Sequence, residues 1–356
     1  MNILQNECCI PHQAIVFTNK NNLDSFFIEK VGIAYQVRKD SIGKNDAIWE
    51  VEFHLTNKCN LDCTGCSYST RHNGKSLTAD QVCSILEQYG QYDLRSAFFS
   101  GGGDPLTWKE WNDFFIKVKK KCSFGIATNM FNFETIKDFW KEFDFYQIHV
   151  TGFDEISSKA VTGVNSYDSV DKNISFLLNH RSSSQEVALK ILINKENYQQ
   201  LPKYLDYVMK KEADSVIIKY QQNFLKNEDL VNDTVIKEIR NFSYEHPIAG
   251  TYDFLIDNMD DIIFNTFPHP SKCIFANTGL YRLINADGEI FPCIAANANR
   301  NNKISNEKEF VDIYSKEMSE GRCPLKACRH YRFSQYLSQV NLDNIGHKTI
   351  REPLLL

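Results

Sequence analysis

From residue 48 onward the chain repeats one pattern, a short apolar run followed by a longer segment with helical spacing. The runs are WEVEFHL (49–55), SAFFS (96–100), FGIAT (124–128), FYQIHV (145–150), EVALKILI (186–193) and SVIIKY (215–220). Each is rich in β-branched and aromatic residues and bounded by polar turn residues, so each reads as a strand. Strands that alternate with helices need crossover connections, and these build a parallel sheet covered by helices. Six such units predict an α/β fold, a partial (β/α)6 TIM-like barrel over residues 48–220. Thr78-x-x-Gln81 and Thr107-x-x-Glu110 read as capping boxes that open two of the helices.

The flanks differ. Residues 1–47 hold AIVFT, SFFIE and GIAYQVR between Asn, Lys and Gly turns, which predicts a small N-terminal β-rich extension. Residues 221–272 read as a linker with helices, closed by the two prolines of FPHPSK. Residues 273–356 form a separate cysteine-bearing unit, in which LYRLINADGEIFPC predicts a hairpin turning at Asp287-Gly288.

Composition removes several functions. The net charge of −5 leaves no electrostatic footprint for nucleic acid. The run Lys117, Lys119, Lys120, Lys121 reads as cations complementing a helix C-terminus. No apolar run reaches the roughly 18 residues of a membrane span. The opening MNILQNECCIPHQ has no basic and apolar regions of a signal peptide, so the chain is expected to be cytoplasmic. Eleven cysteines in a reducing compartment point to metal or redox chemistry.

In barrels of this kind reactive groups sit at the C-terminal ends of the strands. Cys59, Cys63 and Cys66 follow the first strand in a C-x3-C-x2-C frame. SGGGDPL (100–106) follows the second, ATNM (127–130) ends the third and HVTGFDE (149–155) ends the fourth. Zinc usually takes four protein ligands. Thiolates also hold iron–sulfur clusters, and three of them on a cubane leave one iron open to a ligand that is not protein.

With these segments in place the chain resembles the radical S-adenosylmethionine (SAM) superfamily. The resemblance implies a [4Fe–4S] cluster on Cys59, Cys63 and Cys66, with SAM chelating the open iron. One-electron cleavage would then give methionine and a 5′-deoxyadenosyl radical that takes hydrogen from a substrate. It further implies that Gly101, Gly102, Gly103 and Asp104 lie against the SAM amino group, with Asp104 where Glu is commoner. Thr128 and Asn129 fall near ribose or carboxylate, and His149, Lys190 and Asn194 are further cofactor contacts. The family usually has an aromatic residue just before the last cysteine. Gly65 stands there, and Tyr68 is the ring nearest in sequence. Read on their own, His54 and His149 are more often packed residues than ligands.

Cys273, Cys293, Cys323 and Cys328 form a second set. Cys273-x14-Gly288-x4-Cys293 resembles the opening of SPASM and twitch extensions, which implies one auxiliary [4Fe–4S] cluster in a twitch-like domain. A structural four-cysteine zinc site is the alternative for these residues. Cys83 and Cys122 are candidate hydrogen donors or buried small hydrophobes. Lys219 and Asp154 are candidate bases at strand ends, while Cys8 and Cys9 receive no role. The resemblance implies a flavodoxin or ferredoxin electron donor and a ribosomally made peptide as substrate, for crosslinking, thioether formation or epimerisation. The alternatives are a small-molecule oxidation like that of a twitch-containing aminocyclitol dehydrogenase, and a zinc-binding protein without catalysis.

Overall fold

The structure, a computed structural model, describes residues 14–18, 50–66, 68–69, 73–92, 94, 96–223, 228–229, 232–257 and 281–291. All the strands foreseen in the barrel form: β2 (Glu50–His54), β3 (Ser96–Ser100), β4 (Ser123–Thr128), β5 (Phe145–Val150), β6 (Glu186–Ile193) and β7 (Ser215–Tyr220). They pair in parallel and in sequence order. The crossovers carry α1 (Ala79–Tyr89), α2 (Trp111–Lys117), α3 (Glu155–Thr162), α4 (Tyr167–His180) and α5 (Leu201–Met209). Between β4 and β5 the link holds only two short 3-10 turns, Phe133–Ile136 and Trp140–Glu142. After β7 come the two-residue strands β8 (Gln222–Asn223) and β9 (Glu228–Asp229), then α6 (Asp233–Glu245) and α7 (Ile248–Thr251).

Four further strands extend the sheet beyond the repeat. β1 (Ala14–Thr18) runs antiparallel to β7, and β10 (Asp253–Asp257) runs antiparallel to β1. On the other side β11 (Tyr281–Ile284) adds in parallel to β2, and β12 (Ile290–Phe291) turns back on β11. Among the described residues this makes one sheet in the order β10-β1-β7-β6-β5-β4-β3-β2-β11-β12. AIVFT is thus part of the barrel sheet and not of an independent extension. SFFIE and GIAYQVR lie outside the described residues, as do Cys8, Cys9, Cys273, Cys293, Cys323 and Cys328. The hairpin forms as foreseen. Gly288 takes φ +78° in the turn, and the Asn285 side chain accepts from Asp287 N and Glu289 N.

The core lies between the sheet and its helices. Phe99 is its centre, with Trp111, Phe114, Phe124 and Phe143 around it at centroid distances of 5.4 to 6.1 Å. The opposite face of the same strands carries Glu52, His54, Ser100, Gln147, His149 and Lys190. Alternation along a strand sends successive side chains to opposite faces. One face therefore packs the helices and the other makes a polar interior. Among the described residues no helix is long and apolar enough to cross a membrane.

Of the two capping boxes, Thr78 and Gln81 form theirs at α1. Thr107-x-x-Glu110 does not. Asp104, accepting from Leu106 N, caps a short 3-10 turn that ends at Thr107, and the Glu110 side chain reaches instead to α1, where it accepts from Ala79 N. The sequence spacing matched because both residues flank a helix start, but the donors of a neighbouring helix lay closer. Glu110→Ala is expected to lower stability by about 1 kcal/mol, as loss of a helix cap does. A urea midpoint equal to wild type would show that Thr78 alone suffices. The lysine run follows α2, with Lys117 paired to Asp80 and Lys120 to Asp144.

Candidate active site

β2 ends at His54, and the chain then turns over the C-terminal end of the sheet. Its course is fixed by backbone bonds. Asp62 N and Thr64 N donate to Thr162 O and Val161 O at the end of α3, both at 2.9 Å. Cys66 N donates back to Cys63 O at 3.1 Å. Gly65 takes φ +73°, and a Cβ there would lie 2.6 Å from Gln221 Nε2. Gln221 follows β7, donates to Thr64 O at 3.0 Å and accepts from Asn194 Nδ2 at 2.8 Å. The place where an aromatic residue is usual is thus filled by an amide from the far side of the barrel. Tyr68 stands edge-on to His54, with centroids 5.4 Å apart.

The glycine segment after β3 packs against the lead-in to Cys59. Gly103 N donates to Thr56 O at 2.9 Å and Asp104 N to Lys58 O at 2.8 Å. A Cβ on Gly103 would meet Lys58 O at 1.8 Å, and one on Gly102 would meet Asn57 Oδ1 at 2.4 Å. Close approach here is first between two protein backbones. Asp104 is tied into the protein while lining the cavity. Its carboxylate accepts from Leu106 N, Asn129 N and Thr128 Oγ1, binding the end of β3 to the end of β4. Burial pushes this carboxyl up to about 6 in spite of those donors. Asn129 Nδ2 continues the chain of bonds to Asn60 Oδ1, beside Cys59, at 2.9 Å.

All these elements line one cavity of about 440 Å³ at the C-terminal ends of β2 to β7. Cys59, Cys63, Cys66, Tyr68, Gly101, Gly102, Gly103 and Asp104 line it on one side. Thr128, Asn129, His149, Lys190, Asn194 and Lys219 complete it. Three candidates are elsewhere. Cys83 and Cys122 pack against the hydrophobic core and do not line the cavity. Asp154 is exposed and caps α3, accepting from Ser157 N.

The donor set fits an iron–sulfur cluster. Burial first, then the charges of neighbouring groups, pushes Cys63 up to about 12 and Cys59 up to about 11, and burial raises Cys66. Thiols that repel one another as thiolates are held deprotonated by a bound cation. Among the described residues no three Cys, His, Asp or Glu groups converge on one metal-ion position. A single tetrahedral zinc, with bonds of roughly 2.3 Å, needs sulfurs within about 3.8 Å of each other. Three thiols on one loop suit a cluster, where each takes its own iron.

The cavity also holds residues that the motifs did not single out. Glu52 accepts from Ser100 Oγ and Tyr281 OH and lies 3.3 Å from His54 Nε2. Burial opposes its charge, but these partners outweigh it and hold the carboxyl below its ordinary range. Tyr281 belongs to β11, so the strand beyond the repeat anchors the barrel interior. On the other wall Lys190 Nζ donates to Gln147 Oε1 at 2.9 Å. Burial, then the charges of Lys190 and Lys219, holds His149 well below the usual imidazole range. Its Nε2 is buried with no hydrogen-bond partner among the described residues.

The family profile described as the Radical SAM superfamily matches residues 53–208. A curated relative, the probable GTP 3′,8-cyclase of Sulfurisphaera tokodaii, is 22% identical over 278 residues, spanning 72% of this chain and 83% of the relative. The crystal structure of Streptococcus suis SuiB bound to precursor peptide SuiA superposes with a TM-score of 0.58 at 15% identity, covering 82% of this chain and 69% of SuiB. Native anSMEcpe with bound AdoMet and Kp18Cys peptide gives 0.59 at 15% identity, covering 80% of this chain and 87% of that one. The fold is therefore that of these proteins, and the profile implies a [4Fe–4S] cluster and SAM. The match spans residues 53–208, which carry the cysteine loop, the glycine segment and most of the cavity wall, so this part of the chain is similar to the Radical SAM superfamily.

Proposed function

We propose that this chain is an enzyme that uses SAM to take a hydrogen atom from a ribosomally synthesised peptide. The observation that carries the reading is convergence. Three cysteines, the glycine segment and the ends of the barrel strands face one cavity. Cys59, Cys63 and Cys66 would hold the [4Fe–4S] cluster. When bound, that group supplies one electron to split SAM into methionine and a 5′-deoxyadenosyl radical, which takes the hydrogen atom. The chain's own residues bind and shield. Backbone at Gly101 to Gly103 and the Thr128–Asn129 pair would receive the amino-acid part of SAM, and Asn194 and Tyr68 the nucleoside. Leu61, Phe98 and Leu192 give the cavity apolar wall, which keeps water from a reactive carbon.

A peptide is favoured because SuiB is seen with a precursor peptide and anSMEcpe with an added peptide. The product would be a crosslink, a thioether or an epimer. Cys273, Cys293, Cys323 and Cys328 would hold an auxiliary [4Fe–4S] cluster in a twitch-like domain, and a flavodoxin or ferredoxin would deliver the electron. A small-molecule substrate is the second reading, favoured by the relative named as a probable GTP 3′,8-cyclase.

The test uses anaerobically purified, reconstituted protein. Iron, sulfide and zinc are measured, dithionite and SAM are added, and 5′-deoxyadenosine is assayed. About four irons for the loop at 59–66, or about eight with the second cysteine set loaded, together with SAM cleavage, are expected. Zinc in place of iron, with no cleavage, removes the reading. Peptides encoded beside the gene are then added and weighed. Loss of a hydrogen pair, or deuterium uptake from heavy water, selects the peptide; turnover of a small molecule alone selects the second reading.

A further inference from the structure

Below the cysteine loop the two walls of the cavity differ in charge. On the β2 and β3 side the Glu52 carboxylate is engaged by Ser100, Tyr281 and His54. On the β5 to β7 side stand His149, Lys190 and Lys219. Registry places His149 directly beside Lys190, and Lys219 beside Leu192, two residues further along β6. The ammonium groups are near enough to act together on His149.

We propose that Lys190, Lys219 and His149 form a subsite for a carboxylate or phosphate group of the molecule that gives up hydrogen. The proposal rests on the cavity being the reaction chamber. Three observations support it. First, His149 Nε2 is buried in this cavity with no hydrogen-bond partner among the described residues. Second, burial and then the charges of Lys190 and Lys219 hold His149 well below the usual imidazole range, which favours the neutral ring. A neutral imidazole keeps one ring N–H as a donor for an anionic oxygen. Third, the Lys190 ammonium sits below the strand ends. Lys190 lies four residues before Asn194 on β6, which sets its backbone below the strand end. Its ammonium donates to Gln147, deeper still than His149 on β5. SAM held at the strand ends would leave this depth to the substrate. On a peptide, the anion would be an acidic side chain or the terminal carboxylate beside the reacting residue.

The carboxylate of SAM is the competing source of the same chemistry, and the experiment separates the two. Reconstituted protein, with and without SAM, is titrated calorimetrically under anaerobic conditions with glutarate, with inorganic phosphate and with SAM itself. The proteins are wild type, Lys190→Met, Lys219→Met and Lys190→Arg. Wild type is expected to bind glutarate or phosphate at one saturable site. Each methionine variant should weaken that binding about tenfold, the worth of one charge-assisted hydrogen bond. Lys190→Arg should largely retain it, and SAM affinity should stay within about twofold in all variants, which must also load iron as wild type does. No saturable binding of either probe by wild type overturns the proposal, as do methionine variants that bind the probes unchanged. Loss of SAM affinity in place of probe affinity assigns the lysines to SAM and overturns it too. Wild-type iron content and 5′-deoxyadenosine formation report separately on the proposed reaction, so failure of one reading is not mistaken for failure of the other.

Discussion

Cys63→Ala is expected to bring iron loading at the cysteine loop and 5′-deoxyadenosine formation down by more than about 100-fold while leaving the fold intact. Altering a group that merely orients a metal ligand costs about 10- to 100-fold, so loss of a ligand itself costs more. The fold survives because the loop lies outside the sheet and its backbone bonds to Val161 and Thr162 do not use the thiol. The urea midpoint of the metal-free protein should stay within about 0.5 kcal/mol of wild type. Cys122→Ala gives the contrast, since its side chain packs on the core and is absent from the cavity wall. It should lose some stability and no iron. Assembly should also depend on pH in a known direction. Cys63 and Cys59, pushed up to about 12 and about 11, are protonated in the empty protein at neutral pH. Ligation needs thiolates, so each iron bound there displaces a proton, and loading is favoured as pH rises from 7 toward 9. Wild-type iron and turnover in Cys63→Ala would end the assignment of this thiol as a ligand.

The barrel could be read from sequence because each strand is rich in apolar residues, packs them against the covering helices and is too short to be a helix. The bounds of β3, β5, β6 and β7 match the sequence runs residue for residue. The cysteine loop was legible for another reason, as Cys59, Cys63 and Cys66 lie close together on one segment. The charged interior was not. Glu52, Gln147 and Tyr281 lie on three strands whose neighbours in space are far apart in sequence. A signal was present in WEVEFHL, where Glu50, Glu52 and His54 alternate along a central strand. Such alternation in a buried strand means a polar interior. Tyr281 could not be foreseen beside Glu52, because parallel pairing of β11 with β2 leaves no local trace. The bonds by which the Asp104 carboxylate joins the ends of β3 and β4 left no trace in the sequence, because their donors lie at the end of the neighbouring strand. The Thr107-x-x-Glu110 spacing misled because a cap can serve a helix other than its own.

Gly103→Ala is expected to be among the most damaging single changes to the site, although it adds one methyl group and removes no ligand. The Cβ would lie 1.8 Å from Lys58 O and 2.3 Å from Lys58 C. Both are backbone atoms, so no rotamer change relieves the clash. Either the glycine segment or the lead-in to Cys59 must move, and either movement breaks the bonds from Gly103 N to Thr56 O and from Asp104 N to Lys58 O. Two buried hydrogen bonds at about 1 kcal/mol each, with overpacking at about 1–3 kcal/mol, give a loss of about 3–5 kcal/mol. That is a large share of the roughly 5–15 kcal/mol that holds a domain folded. A lower urea midpoint and poor iron loading should appear together, since either movement breaks the bonds that hold the lead-in to Cys59 in place. Gly90→Ala is the control. Gly90 ends α1 at φ −58° and ψ −19°, and a Cβ there meets nothing within 4 Å. It should be neutral or stabilising by about 0.4–1 kcal/mol through the unfolded chain. Equal stability and equal iron in Gly103→Ala would mean that the two loops are not locked together, and that the glycines serve only what binds above them.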